Sequence, residues 1–179
     1  MKDVLLIVLG AIATGILQIF VGIHDRKREA ETILTAIASE VDAICRLIRH
    51  RQYAETVSAI ALSIKAGTWD GTSVVIDVRE NYFSVFEGLA PKLGMLEPNA
   101  ASKIVNFYAY CKSLIDSFRV DGLAAHQDQN PYAQANILAA EALFVAALAL
   151  GDEIVGLPKV PLHQIGQAAE LPAVEGPPQ

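Results

Sequence analysis

The chain is poor in the residues that announce catalysis or a covalent framework. It holds only two cysteines, Cys45 and Cys111. Each falls inside a helical pattern, so neither a disulfide framework nor metal-ligand spacing is present, and both read as buried, reduced thiols. The histidines are His24, His50, His126 and His163. No two of them share the i, i+4 spacing of a helical metal site, and none lies at metal-ligand spacing from a cysteine. There is no Gly-rich phosphate loop, no suggestive Ser-His-Asp arrangement and no pair of carboxylates on a plausible scaffold. These absences leave no cofactor, metal or catalytic residue to assign. They make an enzyme the weaker class without excluding one, because catalytic residues can lie far apart in sequence. Basic residues are outnumbered, 14 against 20 acidic, for a net charge of −6, which argues against a nucleic-acid binder. Between residues 25 and 66 there is neither glycine nor proline, so nothing in that stretch breaks a helix by its own chemistry.

What the chain does have is apolar surface, 53% of its residues. The excess over an ordinary globular chain sits largely in an N-terminal run and in an alanine-rich C-terminal helix. The run 4–23, VLLIVLGAIATGILQIFVGI, is uncharged. At about 1.5 Å per helical residue it measures about 30 Å, the thickness of a bilayer's hydrocarbon core. A cleaved signal peptide is the alternative, with Ala11-Ile12-Ala13 mimicking a cleavage site. The apolar run continues well past that point, which a cleaved signal does not need. His24-Asp25-Arg26-Lys27-Arg28 closes the run, against Lys2 alone at its other end. The positive-inside rule then places the N-terminus outside and the rest of the chain in the cytoplasm, as a single-pass protein of the inner (cytoplasmic) membrane. Within the run, Ala11, Thr14, Gly15, Gln18 and Gly22 recur at steps of three and four. They form one small-and-polar helix face on which another membrane helix could pack closely. The competing explanation is ordinary membrane-helix composition with a snorkelling glutamine.

The remainder reads as helices joined by short breaks. Ile33, Leu34, Ile37, Val41, Ile44 and Ile48 form one apolar stripe, and Tyr53, Val57, Ile60, Ala61 and Ile64 form a second. At about 100° per residue the second stripe lies about 160° round from the first. A turn near His50-Arg51-Gln52 accounts for the jump, although no breaker residue marks it. Gly67, just after Lys65, is a good helix stop. Asp70-Gly71 signals a turn, and 73–78 reads as an extended connector, since a lone strand would have no partner. A short helix over 81–93 carries Tyr82, Phe83, Val85, Phe86 and Leu89, with Pro91 placed to end or kink it early. Glu97-Pro98 opens the next helix, whose stripe is Ile104, Phe107, Tyr108, Cys111, Leu114, Ile115 and Phe118 and whose end falls near Asp121-Gly122. The last helix starts at Asn130-Pro131 and runs through Ile137, Leu138, Leu143, Phe144, Leu148, Ile154 and Val155. Glu141 interrupts its apolar centre, and the flanking Asp152-Glu153 leave it too short for a second span. The tail from residue 157 holds Pro158, Pro161, Pro172, Pro177 and Pro178 and has the composition of a disordered segment.

Two features invite a functional reading. Glu141 is an acid in an apolar run, either a buried carboxylate with a use or a solvent-facing residue among alanines. Arg46, Arg49, His50 and Arg51 form a second basic patch. It stands about 38 Å of helix from the membrane edge, far beyond a Debye length of roughly 8 Å, so a solvated helix face with an Asp42–Arg46 pair is favoured over lipid contact.

Residues 81–118, NYFSVFEGLAPKLGMLEPNAASKIVNFYAYCKSLIDSF, carry a resemblance. Tyr82-Phe83, Val85-Phe86, Leu93-Gly94-Met95-Leu96 and Phe107-Tyr108, with Arg49, Arg51 and Tyr53, resemble a set of uncharacterised bacterial proteins with an N-terminal span and a helical soluble part. Phe86 and Met95 depart from that set's Tyr and Leu by mild packing changes. The resemblance covers under half of the chain and implies architecture only.

The sequence therefore predicts an all-α protein, with an N-terminal transmembrane helix followed by an antiparallel helical bundle. Its divisions are an anchor over 1–23, a cytoplasmic bundle over 24–156 and a Pro-rich tail over 157–179. The expected function is a membrane-anchored interaction or assembly module. Its partners are the lipid bilayer and either a second copy or another membrane protein, without nucleic acid. Its assembly face is Ala11, Thr14, Gly15, Gln18 and Gly22. The alternatives are an oligomeric channel-forming or membrane-perturbing effector, with Thr14 and Gln18 lining a pore, and an enzyme whose site the sequence hides.

Overall fold

The computed structural model describes residues 2–72, 74–76, 81–120, 122, 124 and 132–157, with side chains from Val21 onward. They form five α-helices: α1 (Lys2–His50), α2 (Tyr53–Lys65), α3 (Ser84–Leu89), α4 (Pro98–Phe118) and α5 (Ala133–Val155). A 3-10 turn, Ala90–Met95, follows α3 directly. No strand is present among the described residues. Helix α1 is unbroken over 49 residues, as expected of a stretch without glycine or proline from residue 25 onward.

Among the described residues no helix is long and apolar enough to cross a membrane. Residues 4–20, most of the apolar run, lie outside the residues whose side chains are described. Also outside are Ser73, Asp77, Val78, Asp121, the Asn130-Pro131 start of the last helix, His126, His163 and the tail beyond Leu157.

The break between α1 and α2 falls where the two stripes change phase. Arg51 and Gln52 form the turn, and Gln52 takes a left-handed conformation at φ 55°. A side chain with a Cβ is disfavoured there by about 1–2 kcal/mol. Tertiary packing of both stripes offsets that strain, and this is why the turn forms without glycine. At the far end of α2, Gly67 adopts φ 68°. The N–H groups of Gly67 and Thr68 donate to the carbonyls of Ile64 and Ser63, closing the helix in the expected way.

The first stripe is buried apart from Leu34, and the second in part, with Tyr53, Ile60 and Ile64 only partly buried. Ile33, Ile37, Ala38, Val41, Ile44, Cys45 and Ile48 face inward from α1, and Val57 and Ala61 from α2. Helix α4 contributes Ile104, Phe107, Tyr108, Cys111, Leu114 and Phe118. Helix α5 packs against α1, α2 and α4 and is the centre of the bundle. Its buried residues are Ala133, Ile137, Ala140, Phe144, Ala147, Gly151 and Ile154. Leu138, Leu143, Leu148 and Val155, named by the apolar pattern, are only partly buried. Small residues, rather than leucines, alternate with Ile and Phe along the buried face, and they let neighbouring backbones come close.

The bundle is not antiparallel throughout. Helices α4 and α5 do run oppositely: Lys103 pairs with Glu153 toward one end, and Phe118 stacks on Phe144 at 6.1 Å toward the other. Helices α1 and α4 run the same way, since Glu40 meets Tyr108 while Ile44 and Ile48 lie beside Cys111 and Leu114. The long excursion through α2, the connector and α3 makes that parallel return possible.

Two expectations are refined. Helix α3 ends at Leu89, and the chain continues as a 3-10 turn with Pro91 near its start; proline cannot donate to the preceding turn, so the α-helix stops before it. Helix α4 ends at Phe118, short of Asp121-Gly122, because Arg119 turns extended (ψ 164°). The chain then folds back on the last helical carbonyls: the Ala124 N–H donates to Ser117 O, and the Ile76 N–H from the connector donates to Phe118 O. Gly122 is needed in that fold-back, since a Cβ there would collide with the Ser117 carbonyl oxygen. The described part of the connector, 74–76, is neither helix nor strand.

Candidate functional site

Of the proposed assembly face, only Gly22 has a described environment. It is exposed, with open space where a Cβ would point. Ala11, Thr14, Gly15 and Gln18 lie outside the described side chains. The second basic patch is divided by acids: Arg46 pairs with Asp42, and Arg49 donates to both carboxylate oxygens of Asp152 at 2.7 and 2.8 Å. His50 and Arg51 remain exposed at the turn. Glu141 neither faces solvent alone nor is buried without a partner. It accepts from Lys65 Nζ at 2.6 Å across the α2–α5 contact, with 22% of its side chain exposed. At that exposure the pair contributes on the order of 0–1 kcal/mol. No cluster of three potential metal ligands occurs among the described residues.

The structure brings together a group that sequence reasoning missed, around Glu40. From α1 its carboxylate accepts from the backbone N–H groups of Val85 and Phe86, at 2.7 and 3.0 Å, and from the Tyr108 hydroxyl at 2.6 Å. It caps the start of α3, which has no side-chain cap of its own, by the attraction between a carboxylate and free helical N–H groups. Tyr108 is enclosed by aromatics, with Phe86 stacked at 3.9 Å and Phe83 and Phe107 edge-on at 5.6 and 5.3 Å. Burial, reinforced by the hydrogen bond to Glu40, pushes the Tyr108 hydroxyl above its ordinary range. The phenol therefore stays protonated and serves as a donor. The two N–H bonds hold α3 on α1 and the Tyr108 bond ties α4 to α1, so the cluster's chemistry is structural. Glu40→Gln should lower the unfolding free energy by about 1–2 kcal/mol, since an amide offers one acceptor oxygen and presents an N–H₂ to donors. Urea denaturation followed by circular dichroism measures this; an unchanged midpoint would remove Glu40 from its capping role. Only the capping chemistry of a glutamate could have hinted at it, because its partners lie 45 or more residues along the chain.

The feature shaped to receive something is an apolar cleft beside the α1–α2 turn. Ile44 and Ile48 of α1, Cys111 and Leu114 of α4, Phe83, Phe144 and Ile76 form its buried floor. Arg51, Tyr53 and Tyr82 also line it, and all three reach solvent in whole or part. The cleft is open to solvent and its volume is about 100 Å³. The Cys111 thiol on the floor is pushed up to about 12 by burial, with Cys45 adding to the shift, and Cys45 itself is raised to about 11 by burial. Both thiols are free and buried, as expected. At neutral pH neither is a thiolate nucleophile, so the cleft offers shape and three polar side chains, not covalent chemistry.

A larger open groove lies along the middle of α1. Arg26, Lys27, Ala30, Leu34, Met95, Leu96 and Ala100 are among its walls, and Glu31 and Glu97 share its rim with the cations.

No protein-family model matches this chain, and neither a curated protein nor a solved structure matches it significantly.

Proposed function

We propose that this protein is a membrane-anchored helical interaction module. The run 4–23 crosses the inner membrane once, with the N-terminus outside, and holds the bundle in the cytoplasm. One observation carries the reading. Helix α1 continues out of the bundle as an exposed rod: residues 21–29 are exposed, and Val21 and Ile23, at the end of the apolar run, are 52% and 62% exposed. A helix that leaves its own core and becomes apolar as it leaves needs an apolar medium. The basic flank at Arg26-Lys27-Arg28 fits the headgroup level on the cytoplasmic side. The resemblance to single-span bacterial proteins with helical soluble parts agrees with this architecture.

On this reading residues 24–179 offer the membrane segment no second uncharged run of spanning length to pack on. The face formed by Ala11, Thr14, Gly15, Gln18 and Gly22 then takes a second copy or another membrane protein. An unbroken α1 keeps this face about 100° round from the Leu34-Ile37-Val41-Ile44-Ile48 stripe, so the two surfaces serve different partners.

A reporter fused at Gln179 should be active only as a cytoplasmic reporter; a C-terminus reached from the periplasm overturns the topology. With Cys45 and Cys111 replaced by alanine, cysteine at Gly15 or Gln18 should crosslink in membranes while cysteine at Ile16 or Phe20 does not. Equal crosslinking on all faces, or none, removes the assembly role and leaves a plain anchor.

A further inference from the structure

We propose that the cleft beside the α1–α2 turn is a binding site for a free aliphatic carboxylate, with Arg51 holding the carboxylate and the Ile44–Ile48–Cys111–Leu114 floor taking the hydrocarbon end.

The cleft has the composition of a small-molecule site, an apolar body with a few polar side chains in its lining. Its polar members are Arg51, Tyr53 and Tyr82. Among the described residues none of the three makes a side-chain ion pair or hydrogen bond, although Arg49, Lys65, Lys92, Lys103 and Lys112 each pair with an acid on another element. The guanidinium presents paired N–H donors that match a carboxylate, and the phenols can add a hydroxyl donor to it. Charge therefore selects an anion, and the floor selects hydrocarbon.

Among the described residues the lining carries no carboxylate and no amide side chain. A peptide backbone entering the cleft would leave its N–H groups few side-chain acceptors, whereas an alkyl chain asks for none. The cleft volume of about 100 Å³ is smaller than the roughly 150 Å³ of an engineered cavity that holds benzene. The apolar floor thus takes the last few methylenes, and the rest of the chain lies along the open mouth toward Arg51.

The residue between Arg51 and Tyr53 is Gln52, held left-handed at φ 55°. The turn that joins the two stripes also sets Arg51 and Tyr53, on either side of Gln52, in the lining of the cleft. The site is independent of the membrane reading. Arg51 lies about 42 Å along the helix from Ile23, at about 1.5 Å per residue, so a lipid still in the bilayer does not reach it.

Cys111 on the cleft floor reports occupancy, and Cys45, buried but not in the cleft, is the internal control. The full chain in lipid nanodiscs is alkylated with iodoacetamide at mildly alkaline pH, with and without octanoate up to about 10 mM, and the two cysteines are followed separately by peptide mass spectrometry. Octanoate should slow Cys111 at least several-fold while leaving Cys45 unchanged. Arg51→Gln should raise the half-protecting concentration about tenfold, the worth of one charge-assisted hydrogen-bonding partner. Leu47→Trp, which fills the cleft, should abolish the protection while the circular dichroism of the bundle is retained. The proposal is overturned if octanol or octylammonium protects as well as octanoate, if both cysteines slow together, or if Cys111 is not protected at all.

Discussion

Phe107→Ala should lower the unfolding free energy by about 3–5 kcal/mol, the cost of truncating a fully buried phenylalanine. Phe107 has no exposed surface and lies in the middle of α4, the helix with the most extensive contact to α5. Its ring packs edge-on against Tyr108 at 5.3 Å and comes within 3.2 Å of where a Cβ on Gly151 would stand. The hole left by alanine would open where α1, α4 and α5 meet, and a close-packed surround of side chains from three helices relaxes only partly to fill it. Urea denaturation of the full chain, followed by far-ultraviolet circular dichroism, measures the loss. Tyr82→Ala, at a side chain 39% exposed, should change stability by only about 0.5 kcal/mol. A loss below about 1 kcal/mol for Phe107→Ala would place the core elsewhere.

The second large effect is expected at Gly151. Helix propensity alone would favour Gly→Ala by about 1 kcal/mol. Packing overrides it, because a Cβ at this position would collide with Cys45 Sγ and stand 3.2 Å from Phe107 Cε2. The Cys45 side chain would have to leave its rotamer or α1 and α5 move apart, and overpacking of this kind costs about 1–3 kcal/mol. Gly151→Ala should therefore be destabilising despite its better propensity. Gly151→Leu should cost more than about 3 kcal/mol, beyond what small side-chain shifts absorb. Gly88, in α3, has nothing within 4 Å of an added Cβ, so Gly88→Ala should be neutral or stabilising. The decisive measurement is a double-mutant cycle. Cys45→Ala removes the sulfur that the methyl group introduced by Gly151→Ala would strike. The pair should then cost at least about 1 kcal/mol less than the sum of the single changes. An additive pair, or a raised midpoint for Gly151→Ala alone, would show that α1 and α5 do not approach at this position.

These two positions also separate what could be read in the chain from what could not. Phe107 stands out in the sequence, because Ile104, Phe107, Cys111, Leu114 and Phe118 repeat at helical spacing and a large apolar residue on such a stripe belongs to the core. Gly151 does not. In sequence it looks like a weak point near the end of an alanine-rich helix, and the apolar pattern draws attention to Leu138, Leu143 and Leu148 instead. Hydrophobicity ranks residues by how much they gain from burial. A helix crossed on several sides selects small residues by how little space they take, and that selection is set by neighbours from other parts of the chain.

The same division holds at the candidate site. The turn at Arg51-Gln52 is legible from the change of phase, about 160°, between two stripes, a property of residues within a few turns of each other. The left-handed Gln52 is not, since no glycine or asparagine marks it. The cleft gathers Ile44, Ile76, Tyr82, Cys111 and Phe144 from α1, the connector, the approach to α3, α4 and α5, and no spacing rule connects such residues.

The sequence by itself determined the helical class, the helix faces, the reduced cysteines and the glycine stop after α2, because each depends on periodicity or conformation within a few residues. Tertiary structure decided that α1 and α4 run in parallel, that Glu40 caps a helix beginning more than forty residues later, that Lys65 takes Glu141, and that Arg51 meets no acid among the described residues. Those outcomes depend on which helices meet and at what distance. That is a balance of packing, cavity and desolvation energies among segments far apart in the chain, and it leaves no local signature in the order of the residues.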